Sequence, residues 1–167
     1  MMRQGEVTMD IFTIAIQLEQ EGSKFYEDLA ANATTEGLKS IFTMLAKDEK
    51  KHEKVFTSLK NKSVPAMVPS DVADEAQTIF KQFNKDTYLK EAPQVSMYEK
   101  ALTIEQKSID LYTSHLKDIE GTESQNAVKR IIAEEKKHYE TLEELVKLVS
   151  RPQRWVEDAE FGVRKDY

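Results

Sequence analysis

The sequence repeats itself at a distance of 86 residues, and this repeat is the strongest constraint on its fold. The register is kept at Ala15–Gln20 with Ala101–Gln106, at Tyr26 with Tyr112, and at Asp48–His52 with Glu134–His138. One matching pentad is compatible with chance, whereas several matches in one register are not. The chain is therefore predicted to contain two copies of one structural unit.

Both copies show the period of an α-helix. Residues recur along the chain at alternating spacings of three and four, which places them on one side of a helix. Four such stripes are present, at residues 12–33, 38–59, 98–119 and 124–145. Turn-forming residues at 32–37 and at Gly121-Thr122 separate the helices of each pair, and Thr122 is expected to cap the last helix.

The segment between the two copies predicts a long crossover. Residues 61–70 contain two prolines and are expected to form a loop, while residues 71–83 read as a short helix capped by Ser70. Pro93 lies near the first turn of the third long helix. We therefore predict an all-α four-helix bundle at residues 1–150. The remaining residues, 151–167, are expected to form a tail that packs its aromatic side chains on the bundle or on a partner subunit.

Composition excludes several classes of protein. The 167 residues are 40% hydrophobic and 32% charged, which fits one helix-rich soluble domain. The absence of cysteine excludes disulfides, thiolate metal sites and a rubredoxin-type module within this chain. A net charge of −6 argues against nucleic acid as the main partner. The apolar run at residues 11–16 is too short for a signal peptide or a membrane span, so we expect a cytoplasmic protein without a membrane partner.

Six ionisable residues interrupt the stripes where the helices should face the core. They are Glu19, Glu49, His52, Glu105, Glu135 and His138. Burying unpaired carboxylates costs several kcal/mol each, so the six need a common reason. Each Glu-x-x-His pair occupies one face of a helix, and the other two helices each add one glutamate. At 1.5 Å per residue the six lie at a similar depth, roughly 16 Å from one end, and so predict a two-metal site at mid-bundle.

The chemistry of these side chains narrows the choice of metal. Four glutamates bring four negative charges, which two divalent ions would neutralise, and the imidazoles would ligate in their neutral form. Oxygen-rich ligation with two imidazoles suits iron or manganese. The alternative is a solvated helix face, which is the usual explanation of an isolated Glu-x-x-His motif. Two motifs on stripes, each with a partner glutamate in the same register, favour the metal site.

Two tyrosines lie two helical turns beyond the glutamates of the first and third helices. Tyr26 and Tyr112 are either ordinary core aromatics or hydrogen-bond donors to ligand carboxylates, and we favour the second and treat them as candidate catalytic residues. His115 lies about 15 Å beyond Glu105 along its helix, too far to share the site. It is interpreted as a core or end-of-bundle histidine.

Taken together, these residues resemble the rubrerythrin branch of the ferritin-like superfamily. The resemblance covers about residues 8–149 and is carried by Glu19 with Phe25-Tyr26, Asp48–His52, Glu105 with Leu111-Tyr112, and Glu134–His138. It implies a ferritin-like fold and a centre of two iron ions. The implied ligand roles are bridges at Glu49 and Glu135, and terminal pairs at Glu19 with His52 and at Glu105 with His138.

The resemblance also implies an activity. Rubrerythrins typically reduce hydrogen peroxide to water, and a rubredoxin-type donor restores the electrons. Since this chain has no cysteine, its donor would be a separate rubredoxin-type protein. Rubrerythrins also carry an extra glutamate three residues after the third-helix ligand, which becomes a ligand on oxidation. Here that position is Ser108 and its repeat mate is Gly22, so the chain departs from the usual ligand switch.

Three functions are compatible with these patterns. The first is a di-iron oxidoreductase of peroxidase or ferroxidase type, which reacts ferrous iron with hydrogen peroxide or oxygen in oxidative-stress defence or iron handling. The second is an iron-binding or storage protein, and the third is a binding bundle with structural metals. A homodimer is expected, in which the long connection at residues 61–93 would let helix pairs swap between subunits.

Overall fold

The computed structural model describes residues 10–150, and within this range the chain forms helices and no strands. The helices are α1 (Ile11–Ala31), α2 (Glu36–Lys60), α3 (Val72–Phe80), α4 (Lys85–Glu91), α5 (Val95–His115) and α6 (Thr122–Val149). The prediction of an all-α bundle of two helix pairs joined by a long crossover is confirmed. None of the described helices has the length and apolar character that crossing a bilayer requires. The predicted tail at residues 151–167 lies outside the described residues.

Side-chain caps set the beginning of the first two helices. The Asp10 carboxylate accepts a hydrogen bond from the backbone N–H of Thr13 at 2.9 Å, so α1 begins directly after it. The Thr35 hydroxyl accepts from the backbone N–H of Leu38 at 3.2 Å at the start of α2. The short turn that precedes Thr35 makes α1 and α2 antiparallel neighbours, as predicted.

The start of α6 differs from the prediction. Gly121 occupies the cap position with a φ of 93°, and no side chain there makes a capping hydrogen bond. Thr122 is instead the first helical residue. The 3₁₀ turn Leu116–Asp118 precedes Gly121 in the connection between α5 and α6. Glycine adopts a positive φ at little energetic cost because it has no Cβ atom. Backbone conformation, rather than a hydroxyl cap, therefore starts this helix.

The crossover is more ordered than the sequence indicated. The expected short helix is α3, which ends at Phe80 and so is shorter than predicted. Ser70 accepts a hydrogen bond from the backbone N–H of Val72 at 3.2 Å, although Asp71 holds the cap position. The helix α4 was not predicted; it begins with a capping box between Asn84 and Thr87. A helix of seven residues is too short to show a hydrophobic period, so only its cap could have indicated it.

Two apolar clusters fill the bundle, and a polar layer separates them along the long helices. One cluster includes Phe42 and Tyr98, whose ring centroids lie 5.4 Å apart. The other includes Phe56 and Tyr112, with centroids 4.9 Å apart. The six predicted site residues lie between these clusters in all four long helices. The polar layer is therefore enclosed by apolar side chains at both ends.

Candidate metal centre

The six predicted site residues meet at mid-bundle and are excluded from solvent. α1 and α5 each contribute one glutamate, while α2 and α6 each contribute one glutamate and one histidine. The exposed fraction of each residue is 1% or less. In α2 and α6 the i, i+3 spacing directs the glutamate and the histidine to the same side of the helix. The helical register of each element thus places its polar side chains in one layer.

The side chains form two groups that share two glutamates. In each group, every residue offers one donor atom, and these atoms all lie within 4.8 Å of one another. The first group is Glu19, Glu49, His52 and Glu135; the second group is Glu49, Glu105, Glu135 and His138. Nδ1 of His52 lies 3.3 Å from Oε1 of Glu19, and Nδ1 of His138 lies 3.5 Å from Oε2 of Glu105. Each group could hold one metal ion, and the shared glutamates could contact both ions.

The inward-facing atoms of this layer lack hydrogen-bond partners among the described residues. They are Glu19 Oε1, Glu49 Oε2, His52 Nδ1, Glu105 Oε1, both carboxylate oxygens of Glu135, and His138 Nδ1. An unsatisfied buried polar atom costs about 1–3 kcal/mol, so native structures hold few of them. Carboxylate oxygens and imidazole nitrogens aimed at a common centre match the donors preferred by iron and manganese. The residues therefore fit a pair of divalent ions.

Without cations, protons balance the charge of the layer. Burial and repulsion by Glu135 raise the pKa of Glu105 to about 7, and burial and three neighbouring carboxylates raise that of Glu49 well above its usual range. Burial opposes charge on His52 and His138, yet the facing carboxylates raise both pKa values well above the ordinary one. Burial also opposes ionisation of Glu135, but the two histidines outweigh it and lower its pKa. Bound metal ions would replace these protons.

Each tyrosine donates a hydrogen bond to a glutamate of the other helix pair. The Tyr26 hydroxyl donates to Oε2 of Glu105 at 2.5 Å, and the Tyr112 hydroxyl donates to Oε2 of Glu19 at 2.6 Å. Burial and the adjacent carboxylates raise the pKa of both tyrosines, so both hydroxyls keep their protons. The sequence indicated bonds to site carboxylates, but it did not indicate that the partners lie in opposite halves.

Two acidic residues to which the sequence analysis gave no role contact the outer nitrogens of the histidines. Nε2 of His138 lies 2.9 Å from Oδ2 of Asp48, and Nε2 of His52 lies 2.7 Å from Oε1 of Glu134. An acceptor at Nε2 favours the proton there and leaves Nδ1 free to face a metal ion. The available signal was the acidic residue that opens both repeated pentads.

The layer is crowded where α1 approaches α2. A Cβ atom at Gly22 would lie 2.7 Å from Oε1 of Glu49, closer than carbon and oxygen approach without bonding. Its repeat equivalent, Ser108, is buried and carries only a small hydroxyl. Both positions lack the extra glutamate that the family resemblance led us to expect. The structure adds that glycine at position 22 leaves room for the Glu49 carboxylate.

Two further ionisable residues lie outside the layer. His115 is half-buried at the end of α5, where its Nδ1 lies 3.0 Å from the carbonyl oxygen of Leu111, and it is not among the clustered residues. Glu91, which the sequence analysis missed, is buried in the crossover and accepts hydrogen bonds from Thr34 and, at 2.6 Å, from Tyr98. This carboxylate connects the crossover to the bundle.

Comparison with known proteins identifies the family of this chain. A family model for rubrerythrin matches residues 10–146, which extend from the cap of α1 into the last turn of α6 and include all six clustered residues. Searches of the curated proteins and of the solved structures each returned no match.

Proposed function

Because the chain belongs to the rubrerythrin family, we propose that it is a di-iron oxidoreductase that reacts with hydrogen peroxide or oxygen. A separate rubredoxin-type protein would supply its electrons. The observation that carries the proposal is the buried layer of carboxylate and imidazole donors whose inward-facing atoms lack partners. The expected homodimer and cytoplasmic location remain predictions.

The proposed ligand set follows the two groups of side chains. Glu49 and Glu135 belong to both groups and would bridge the metals, while the remaining four residues would be terminal ligands, Glu19 with His52 and Glu105 with His138. When bound, two ferrous ions would supply two electrons for reductive cleavage of an O–O bond.

The protein's own residues would orient this centre and keep it dry. Tyr26 and Tyr112 each hold one oxygen of a terminal glutamate, which leaves the second oxygen of Glu105 and Glu19 for a metal. This hydrogen bond opposes rotation of the carboxylate, so we propose positioning roles for both tyrosines. The apolar clusters above and below the layer exclude bulk water and strengthen the electrostatic interactions within it.

Iron oxidation and storage is the second candidate function. Ser108 and Gly22 offer no carboxylate that could become an additional ligand on oxidation, and this observation favours a centre with a constant set of six protein ligands. Ferrous iron held by such a centre would pass its electrons to oxygen or hydrogen peroxide, and the ferric product would be released for storage without an electron donor.

Anaerobic reconstitution with ferrous iron, followed by stopped-flow mixing with peroxide or with oxygen, distinguishes the two candidates. Two irons per chain and much faster oxidation by peroxide would support the oxidoreductase. Comparable rates with oxygen and continued iron uptake beyond two per chain would support storage. Absence of oxidation with either oxidant would contradict both and favour a manganese or structural site.

A further inference from the structure

The outer sides of the two histidines differ although their inner sides are alike. Asp48, the partner of His138, has a side chain that is 6% exposed, whereas the side chain of Glu134, the partner of His52, is 16% exposed. The two acids occupy equivalent positions in the repeat. The difference therefore comes from what packs outside each of them.

The crossover holds Asp48 in place. The hydroxyl of Ser70 donates a hydrogen bond to the Asp48 carboxylate and accepts one from the backbone N–H of Val72 at 3.2 Å. Lys51 adds a charge at 4.0 Å from the same carboxylate. A continuous series of hydrogen bonds thus connects the start of α3 to His138 through two side chains. Rotation of this histidine away from the centre would require breaking that series.

Glu134 instead faces a cavity. A cavity of about 250 Å³ reaches both His52 and Glu134, and the segment Pro65–Val68 covers it. This cover has no helical structure, and Val68 within it is 67% exposed. Arg130 of α6 donates a hydrogen bond of 3.2 Å to the carbonyl oxygen of Met67, and the half-buried Met67 side chain packs against the apolar cluster that contains Phe56. The outer side of His52 thus borders a cavity, whereas the outer side of His138 borders the hydrogen-bonded pair of Asp48 and Ser70.

We propose that the two metal positions exchange at different rates, with Asp48 and Ser70 as positioning residues that retain the metal beside His138. The metal beside His52 leaves and enters first, through the cavity beneath Pro65–Val68. The inference rests on the proposed two-metal centre. It adds that this centre loads and loses its ions in a defined order, which the crossover sets.

Release of ferrous iron to a coloured chelator under anaerobic conditions tests the proposal on the full chain. The loaded protein is expected to release one iron per chain in a fast phase and one in a slow phase. Ser70→Ala should accelerate the slow phase by roughly tenfold, since the loss of an outer hydrogen-bond partner typically weakens metal binding by 10–100-fold. Glu134→Gln should accelerate the fast phase alone.

Two variants control for indirect effects. Ser63 lies in the same crossover and its hydroxyl bonds only to the carbonyl oxygen of Ser58 among the described residues, so Ser63→Ala should leave both phases unchanged. Ser70→Thr keeps a hydroxyl and should restore the slow phase. Thermal melting of the metal-free variants checks that each remains folded.

The outcomes separate this inference from the function on which it rests. A single release phase for two irons would overturn the inference and leave the centre intact, as would Ser70→Ala accelerating both phases equally. Binding of fewer than two irons by the unmodified chain would contradict the proposed centre itself, and the order of exchange with it.

Discussion

The two helix pairs supply the same donors to the central layer, but they surround those donors differently. α1 and α2 contribute two glutamates and a histidine, and α5 and α6 contribute the same three at equivalent positions. Gly22 in the first pair corresponds to Ser108 in the second, and Asp48 corresponds to Glu134. The two pairs thus present the same donors in different surroundings, because the crossover contacts the two outer acids differently: Ser70 donates a hydrogen bond to Asp48, whereas Pro65–Val68 lines a cavity beside Glu134.

The largest expected effect concerns the two shared glutamates. Glu49→Ala and Glu135→Ala each remove a donor from both metal positions, so each should lower the metal content by at least half, and to a similar degree. Metal analysis of the purified variants measures this. Glu140→Ala, an exposed glutamate of α6, is the matched control and should keep full content. Full occupancy in both site variants would defeat the bridging assignment.

A second comparison sets Gly22 against Ser108. In Gly22→Ala the new Cβ would displace the Glu49 carboxylate, so we expect metal affinity to fall by roughly tenfold, within the range found for perturbed metal ligands. Alanine favours the helix by about 1 kcal/mol over glycine, which offsets part of the cost of this displacement in the metal-free protein. Ser108→Ala should change affinity little. Equal affinities for the two variants in a competitive metal titration would show that the close approach at Gly22 has no role.

A third comparison concerns how the stability of the protein depends on pH with and without bound metal ions. Glu105, with a pKa near 7, and both histidines bind protons more tightly in the folded chain than in the unfolded chain. The stability they contribute is complete below their unfolded pKa values and is lost as the pH rises through the folded ones. The Tm of the metal-free protein should therefore fall as the pH rises from about 4.5 to about 7, because of Glu105, and should continue to fall above pH 6.5, because of the histidines. The Tm of the loaded protein should change much less. Calorimetry showing parallel curves would contradict this.

The smallest effect is expected for the tyrosines. Tyr26→Phe and Tyr112→Phe each remove one hydrogen bond to a terminal glutamate, and both variants should keep two metals while the oxidation rate changes by roughly threefold or more. Tyr98→Phe is the matched control, because its hydroxyl donates to Glu91, outside the metal layer. If the rates are unchanged in stopped-flow oxidation, the two site tyrosines only fill the core.

The features that the sequence predicted correctly are those that depend on helical periodicity. The four long helices followed from their stripes, and the six clustered residues were identifiable because they interrupt those stripes in one register. The seven-residue α4 was missed because it is shorter than two full periods, and Thr122 was wrongly expected to cap α6 because the positive φ of Gly121 cannot be read from residue type alone.

The sequence by itself determined which side chains form the donor set and which face of each helix carries them. This is because the helical repeat of 3.6 residues per turn fixes the face of a residue from its position in the chain alone. Only the tertiary structure decided which donors pair. The hydrogen bonds from Tyr26 to Glu105 and from His138 to Asp48, and the close approach of Gly22 to Glu49, each join different helices. Their geometry depends on how far neighbouring helices slide and rotate against each other. The packing of side chains throughout the core sets these relative positions of the helices, and they cannot be predicted from a local sequence pattern.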